Sequence, residues 1–390
     1  QLMKKIIPSL SKMWLKVINL EQSLFPRMET VVGTLSPKEE KLIKILDFAE
    51  IERFVSSVQI TNPPKDRDEM ARAFVAKQVY NFQTTSALID RLKIDRTLRL
   101  LCGWRYENKI PSEAKFSRVF KEFSQQQIAS KAQNVFIEKY LSKTLFFYSS
   151  IDSTAIELRE KSVMYGKSKK EIKPKRRQGR PKKGEEGPAK KPSILQQQEN
   201  MKSTEEMLSL IGTECNTSIK QNSKGNRHKW TGGKLHLSVV DGDIPITAIY
   251  SSASVHDSSL ALPLIKESTQ KVNYLYDLAD AAYDTSIIRN YSKEQNHRPI
   301  IDINPKNSKK LKAQIALAKS EKKILQPLKL YNDSDDRHYN QRTSVERVNA
   351  YLKDSYGCSK IYYQGAQKVA SVLAFAVLSV CITQSLKLVT

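Results

Sequence analysis

The sequence has few cysteines and few acidic residues for its 390-residue length. Its four cysteines lie far apart, with no C-x-x-C pair and no Cys/His cluster of zinc spacing, which favours reduced, buried thiols over a structural zinc site. Asp and Glu number 41 against 65 Lys and Arg, so the formal charge is +24. Such an excess indicates a polyanionic partner, either nucleic acid or an anionic membrane, because each neutralised phosphate releases counterions.

A long uninterrupted apolar run is also absent. The most apolar stretch, residues 369–389, is broken by serine, threonine, glutamine and lysine. These residues are costly in lipid, so a buried core helix is favoured over a membrane span. Residues 1–20 mix lysines into an apolar pattern without a small-residue cleavage site, so no signal peptide is indicated. We therefore expect a cytoplasmic protein with no membrane partner.

Two kinds of periodicity divide the chain. From about Ser36 to Ala132, apolar residues recur at spacings of three and four, which predicts helices, including a capped amphipathic helix from Ser112. From about residue 145 the pattern becomes extended, in LFFYSSIDSTAIEL, KLHLSVV, PITAIYSS, NYLYDLAD and RPIIDIN, with helical runs between the later segments. We predict an all-helical N-terminal domain at 1–140 and an α/β domain at 141–390, with a mixed sheet covered by helices.

A basic insertion interrupts the predicted α/β domain at about 158–230. Residues 159–191 contain 14 Lys and Arg against 4 Glu, together with several Pro and Gly, which is typical of a flexible, solvated segment. Gly179-Arg180-Pro181 resembles the AT-hook that places an arginine in a narrow minor groove. A general electrostatic tether to phosphate is the alternative. The candidate DNA-binding residues are Lys175, Arg176, Arg177, Arg180, Lys182 and Lys183.

Two aspartates follow apolar, β-prone runs. Asp152 follows LFFYSSI and Asp280 ends YLYDLAD, so both are predicted where a buried strand reaches the surface. If the strands pair, the carboxylates are neighbours, which is the arrangement that a hard divalent cation such as Mg²⁺ prefers. For each aspartate taken alone, a strand-end turn or a helix cap is the simpler explanation.

The segment HYNQRTSVERVNAYLKDSYG places Tyr339, Arg342, Glu346 and Lys353 at spacings of three, four and seven. On one helix these side chains share a face, beside an apolar stripe formed by Val345, Val348, Leu352 and Tyr356. The rival interpretation is a capping box from Thr343 to Glu346, with Tyr339 and Arg342 in the preceding loop.

These four residues resemble the Y-x2-R-x3-E-x6-K signature of insertion-sequence DDE transposases. SIDSTAI and LADAAYD are similar to the family's first and second aspartate motifs, and the region around the Lys-Leu-His strand and the His256-Asp257-Ser258 turn is similar to the middle of its catalytic domains. His256 and Asp257 favour a structural turn over a catalytic role. Ala282 departs from the glycine that is common before the tyrosine of the second motif.

The resemblance implies a fold like that of ribonuclease H and retroviral integrase, with Asp152 on the first strand, Asp280 after the fourth and Glu346 on a later helix. It implies that these three acids hold two Mg²⁺ ions, with Mn²⁺ able to substitute, during hydrolysis at the element's end and strand transfer into target DNA. Arg342 and Lys353 would bind phosphate, and Tyr339 would stack or hydrogen-bond near the cut.

The implied partners are double-stranded DNA, as terminal inverted repeats and target, and further copies of the chain in a dimer or larger assembly. The helical domain would bind DNA ends, mediate dimerisation, or both, and the protein would be associated with the bacterial nucleoid. Two alternatives stay open: a catalytically inactive DNA-binding descendant, and a nuclease of the same fold that does not join strands.

Overall fold

The structure is a computed structural model, and it describes residues 2–55, 65–163, 192–221, 225–306, 308–325 and 334–390. Eight α-helices come first: α1 (Leu2–Asn19), α2 (Phe25–Val32), α3 (Pro37–Ala49), α4 (Arg67–Val79), α5 (Thr85–Ile94), α6 (Arg96–Cys102), α7 (Glu113–Gln126) and α8 (Ile128–Tyr140). A π-helical turn, Leu20–Leu24, lies between α1 and α2. Strands and helices then alternate: β1 (Leu145–Leu158), α9 (Ile194–Gln198), α10 (Thr204–Ser209), β2 (Asn216–Gln221), β3 (Arg227–Val240), β4 (Ile244–Ser252), α11 (Ala261–Lys271), β5 (Asn273–Ala279), α12 (Ser286–Glu294), β6 (Arg298–Ile301), α13 (Lys309–Leu325), α14 (Ser334–Asn340), α15 (Thr343–Ser355), β7 (Lys360–Ile361) and α16 (Ala366–Leu386).

Side-chain caps fix several helix starts in the first region. Ser36 forms a full capping box with Glu39 at the start of α3. The Ser112 hydroxyl accepts a hydrogen bond from the Lys115 amide at the start of α7, as the sequence predicts. The predicted helical N-terminal region is therefore confirmed in its local structure, whereas the boundary at 140/141 as a domain limit stays a prediction.

The seven strands of the described residues form one mixed sheet. Its path is β2-β3-β1-β5-β6, with β4 also paired to β3 and β7 to β1. β1 is antiparallel to β3, and β3 is antiparallel to β2 and β4. β1, β5 and β6 are parallel. Helix α12 provides the crossover from β5 to β6, whereas the connection from β1 to β5 contains β2, β3, β4 and α11. The predicted mixed sheet covered by helices is confirmed.

The sheet differs in detail from the prediction. The strand β2 precedes the Lys-Leu-His strand and did not stand out in the sequence, so Asp280 follows the fifth strand rather than the fourth. Part of the segment expected to be a flexible insertion is folded, since residues 192–221 contain α9, α10 and β2. The basic residues Lys175, Arg176, Arg177, Arg180, Lys182 and Lys183 lie outside the described residues.

Helix α16 runs through the centre of the molecule. It is long and apolar enough to cross a membrane by length and composition, but 83% of its most apolar window is buried in the protein. It packs against β4 and against α3, α4, α7 and α8. Phe375 on α16 lies 6.0 Å from Phe74 on α4, ring centre to ring centre, within a cluster of aromatic side chains. One apolar core therefore joins the helical region to this face of the sheet.

A second, smaller core lies on the opposite face of the sheet. It contains Ile151 of β1 and Ile249 of β4, packed against buried side chains of α11 and α12. Side chains alternate between the two faces of a strand, so Ile151 and Ser153 face this second core. Asp152 faces the side on which α15 packs, and α15 contacts β1 and β3 there.

Candidate active site

The pairing of β1 with β5 brings two of the predicted acids together. Ile151 pairs with Ala279 in the parallel register, so Asp152 and Asp280 are the next residues on two neighbouring strands. β5 ends at this point, whereas β1 continues for six residues to Leu158 and stays paired with β3. The extent of the predicted extended segment LFFYSSIDSTAIEL is confirmed, but Asp152 lies within this strand and not at its end. Asp152 is half-buried, one residue beyond the last pair between β1 and β5.

Asp280 also caps the turn that follows it. Its Oδ1 accepts a hydrogen bond from the Ala282 amide at 2.9 Å, at the start of the 3-10 turn Ala281–Tyr283. The capping role that the sequence allowed is therefore real. It engages one carboxylate oxygen, so the other keeps its lone pairs for a further partner.

The environment of the two aspartates disfavours their charged forms. Burial raises the pKa of the Asp152 carboxyl to about 6, and the Asp280 charge adds to this effect, while the Ser153 amide and the Arg342 guanidinium oppose it. Burial also raises the pKa of Asp280, against the Ala282 amide and Arg342. A cation between the two carboxylates would relieve this cost, so the pair fits a hard divalent ion.

The third predicted acid is engaged elsewhere. Glu346 lies on the first turn of α15, with 51% of its side chain exposed, and its Oε1 accepts a hydrogen bond from Arg342 Nη2 at 2.7 Å. Within the part of the chain that the structure describes, no group of three or more His, Cys, Asp or Glu side chains is close enough to hold a metal ion together. In this conformation the Arg342 guanidinium is stabilised by the charges of both Glu346 and Asp152.

The signature segment forms two helices rather than one. α14 ends at Asn340, Gln341 and Arg342 form a tight turn, and α15 begins at Thr343. Arg342 occupies the N-cap position with helical dihedral angles and makes no side-chain cap hydrogen bond, so the rival capping box from Thr343 does not form. The predicted apolar stripe is confirmed, since all of its four residues are buried: Val345, Val348, Leu352 and Tyr356.

Tyr339 at the end of α14 is tied to a residue that the sequence analysis missed. Its hydroxyl donates to Asp302 Oδ2 at 2.9 Å, and the Arg342 guanidinium lies 5.7 Å from its ring centre. Asp302 directly follows β6, as Asp280 follows β5, so a strand-end aspartate was the available signal. Hydrogen bonds and ring contacts therefore link Asp302, Tyr339, Arg342 and Glu346 in series.

Lys353 lies two turns beyond Glu346 on α15 and is partly buried. It lines a cavity of about 570 Å³ together with Arg227, His228 and Trp230 of β3. The cavity extends along β1 past Ala155 and Glu157, so it is continuous with the strand that carries Asp152. Three basic side chains beside one acid give it a polar, cationic wall.

Two other acids near the second motif have structural partners. Asp277 is buried, and its Oδ2 accepts hydrogen bonds from Ser292 and His297. Asp284 is paired with Arg289 and accepts from the Asn304 amide. Both carboxylates hold the sheet edge to α12 and the segment after β6. Neither is a rival to Asp280.

Comparison with protein families decides the classification. The model described as "Transposase DDE domain" matches residues 149–382, which is more than half of the chain. The chain belongs to the DDE transposase family. A second model, "Transposase domain (DUF772)", matches residues 34–122 in the helical region. No curated protein and no solved structure matches the chain.

The family assignment fits the architecture. The transposase combines a helical N-terminal region with an RNase H-like mixed sheet flanked by helices. It is a DNA transposase, and its large positive charge suits a DNA substrate. The stretch matched by the catalytic-domain model contains Asp152, Asp280, Glu346 and the whole Tyr339–Lys353 signature.

Proposed function

We propose that this transposase cleaves DNA at the ends of an insertion sequence and joins the freed end to target DNA, with Asp152, Asp280 and Glu346 as its catalytic acids. The observation that carries the proposal is the register of β1 and β5, which sets Asp152 beside Asp280. Helix α15 packs against β1 and carries Glu346 on the same side of the sheet. No side chain needs to form a covalent intermediate in this chemistry.

Asp152 and Asp280 would hold Mg²⁺, with Mn²⁺ able to substitute, and Glu346 would join them in a site for two ions. Bound in this way, the ions would supply Lewis acidity at the scissile phosphate and would favour both the attacking and the leaving oxygen. The raised pKa of Asp152 supports this role. Burial destabilises the charged carboxylate, and a bound cation would remove this penalty by neutralising the charge. The ion pair between Glu346 and Arg342 would first have to break. A DNA phosphate that binds the Arg342 guanidinium would free Glu346 for the metal site.

The remaining signature residues would hold the DNA strand. Arg342 can bind a phosphate in a fork once Glu346 is released, whereas Lys353 presents a point charge. Tyr339 would stack or hydrogen-bond near the cut while Asp302 fixes its hydroxyl. The basic cavity beside Lys353 provides a second surface that can hold DNA backbone.

We further propose a division of labour along the chain. The helical domain, 1–140, would bind the terminal inverted repeats, dimerise, or both, and residues 141–390 would carry out the chemistry. The basic residues from Lys175 to Lys183 would bind DNA outside the site, through phosphate or the minor groove. The protein would act in the bacterial cytoplasm, associated with the nucleoid, as a dimer or larger assembly on paired ends.

The test is an assay with labelled terminal DNA, unlabelled target and Mg²⁺ or Mn²⁺. We expect nicking at the element end and strand joining by the wild-type protein, and loss of both in Asp280→Asn. Asp284→Asn is the matched control, because Asp284 lies in the same motif but is paired with Arg289. Nicking without joining would indicate a nuclease, and DNA binding without nicking an inactive descendant.

A further inference from the structure

A carboxylate that the proposed chemistry does not use lies behind β1. Asp257 begins the 3-10 turn Asp257–Leu260, and its Oδ1 accepts a hydrogen bond from Lys234 Nζ at 2.8 Å. The Ser153 side chain also hydrogen-bonds to this carboxylate. Only 16% of the Lys234 side chain and 29% of the Asp257 side chain are exposed. The ion pair is therefore largely shielded from solvent.

The strand register places this pair on the face of the sheet opposite to Asp152. Ser153 pairs with His236 and Ala155 pairs with Lys234, so Ser153 and Lys234 share a face. Asp152, one residue earlier on β1, projects to the other face. A hydrogen bond from Ser153 to Asp257 therefore fixes the backbone of β1 at the residue next to Asp152.

The same ion pair also reaches the second aspartate. Lys234 Nζ donates to the Val255 carbonyl at 2.9 Å, which holds the loop before Asp257 against β3. The 3-10 turn that Asp257 begins contacts the 3-10 turn Ala281–Tyr283, in which the Ala282 amide donates to Asp280. The Lys234 ammonium group therefore stabilises both the strand that carries Asp152 and the turn that follows Asp280.

We propose that Lys234, Asp257 and Ser153 form a clamp that positions Asp152 and Asp280 for metal binding. The inference rests on the proposed function, because it concerns the geometry of the metal-binding pair. Lys234 and Asp257 are positioning residues here, since they act through β1 and the turn after β5. The Asp257 charge also adds to the raised pKa of Asp152 and of Asp280, so Ser153, which carries no charge, gives the cleaner test of the clamp. Carboxylate ligands must be held within about half an ångström for productive coordination, so loosening β1 weakens the site without removing a ligand.

Two substitutions of Ser153 test the clamp with little change in packing. Ser153→Ala removes the hydroxyl that joins β1 to Asp257, whereas Ser153→Thr keeps a hydroxyl on a residue that strands accommodate well. Mn²⁺ affinity, followed by electron paramagnetic resonance without DNA, gives a readout that does not depend on turnover. Single-turnover nicking at saturating terminal DNA gives a second readout, and DNA affinity a third.

We expect Ser153→Ala to weaken Mn²⁺ binding and slow nicking by about tenfold at unchanged DNA affinity, and Ser153→Thr to behave like the wild type. Asp257→Asn should follow Ser153→Ala. Asp66→Asn is the control, because Asp66 pairs with Lys115 at 2.7 Å in the helical region and its side chain is as exposed as that of Asp257. It should leave Mn²⁺ affinity unchanged.

Wild-type Mn²⁺ affinity in both Ser153→Ala and Asp257→Asn would overturn the clamp while leaving the proposed function intact. Equal losses in Ser153→Ala, Ser153→Thr and Asp66→Asn, in proportion to lost thermal stability, would also overturn it. A wild-type protein that neither binds Mn²⁺ nor nicks terminal DNA would overturn the proposed function, and the clamp with it.

Discussion

The Arg342 guanidinium lies 2.7 Å from the Glu346 carboxylate, one helical turn away along the signature segment. The same guanidinium is near enough to Asp152 and Asp280 that its charge partly offsets the rise in the pKa of each carboxyl caused by burial. A protein cation therefore lies among the three acids that are proposed to hold metal ions. Metal ions would replace the Arg342 guanidinium among the acids, and the guanidinium would then bind a DNA phosphate. DNA binding and assembly of the metal site would thus be coupled.

Arg342→Gln separates the two roles of this side chain. We expect Mn²⁺ affinity without DNA to rise several-fold, because a positive charge leaves the surroundings of Asp152 and Glu346 is released. We expect single-turnover nicking to fall by about a hundredfold, since one phosphate fork is worth about 3 kcal/mol in the transition state. Mn²⁺ titration and a single-turnover assay measure the two effects.

Arg347→Gln is the control for that experiment. Arg347 is also on α15, but it binds Asp243 through two hydrogen bonds of 2.7 and 2.9 Å, away from the aspartates. Its loss should leave Mn²⁺ affinity unchanged. A fall in Mn²⁺ affinity in Arg342→Gln would contradict the idea that the guanidinium competes with the metal.

The strands that carry the two aspartates were predictable from the sequence, whereas their pairing was not. Apolar runs before Asp152 and Asp280 indicated buried strands, but β2, β3 and β4 lie between β1 and β5 in the sequence, so no local pattern shows that these two strands are neighbours. The length of β1 was predictable, since the extended run LFFYSSIDSTAIEL coincides with Leu145–Leu158. Its partners were not, because β1 pairs with β3 and β5, which lie far away in the sequence, and long-range pairing leaves no local period.

The contacts of the signature residues were harder to predict from the sequence. Helical spacing predicted the buried stripe through Val345 and Leu352 correctly, because a period of 3.6 is a local property. The break between α14 and α15, and the bond from Tyr339 to Asp302, depend on where β6 ends, some forty residues earlier. The same limit hid Lys234, whose role follows from the position of Asp257 across a strand and a loop.

The raised pKa of Asp152 predicts a pH-dependent cost to stability. The folded carboxyl, with a pKa of about 6, binds its proton more tightly than in the unfolded chain, so this group stabilises the fold less as pH rises from 4 to 6. Asp152→Asn removes the cost. We expect the variant to be more stable than the wild type by about 3 kcal/mol at pH 7.5 and nearly equal to it near pH 4.

Denaturant unfolding at the two pH values measures this difference. Mn²⁺ at pH 7.5 should stabilise the wild type and leave Asp152→Asn unchanged, because ligand binding to the folded state adds to its stability. A variant that is less stable than the wild type at pH 7.5 without metal would show that the carboxylate is well compensated in the folded protein.

Because Tyr339 and Asp302 share a hydrogen bond, we expect substitutions of the two residues to have related effects on the rate of nicking. Tyr339→Phe and Asp302→Asn should each slow nicking by about three- to tenfold, since loss of one hydrogen bond costs roughly 1 kcal/mol. The double variant should be no slower than the worse single variant, because both changes remove the same contact. Multiplying losses in the double variant would mean that Asp302 acts on Asp280 independently of Tyr339, through the charge effect that raises the pKa of Asp280.

The basic segment from Lys175 to Lys183 is proposed to bind DNA outside the site, and salt dependence tests this directly. Replacing four of its Lys and Arg residues by Gln should reduce the slope of log affinity against log salt by about 3 to 4 for duplex DNA, since each phosphate contact contributes about 0.9. Mn²⁺ affinity should be unchanged, because Asp152 and Asp280 are not altered. An unchanged slope would exclude this segment from the interface.

Arg180→Lys distinguishes the two ways in which the segment could bind. It keeps the charge but removes the planar fork of the AT-hook-like Gly179-Arg180-Pro181. A tether to phosphate predicts equal affinity of the variant and the wild type for A·T-rich and G·C-rich duplexes at every salt concentration. Minor-groove insertion predicts that the wild type prefers A·T-rich DNA and that Arg180→Lys loses this preference with its salt slope intact, because a narrow A·T groove favours the arginine itself.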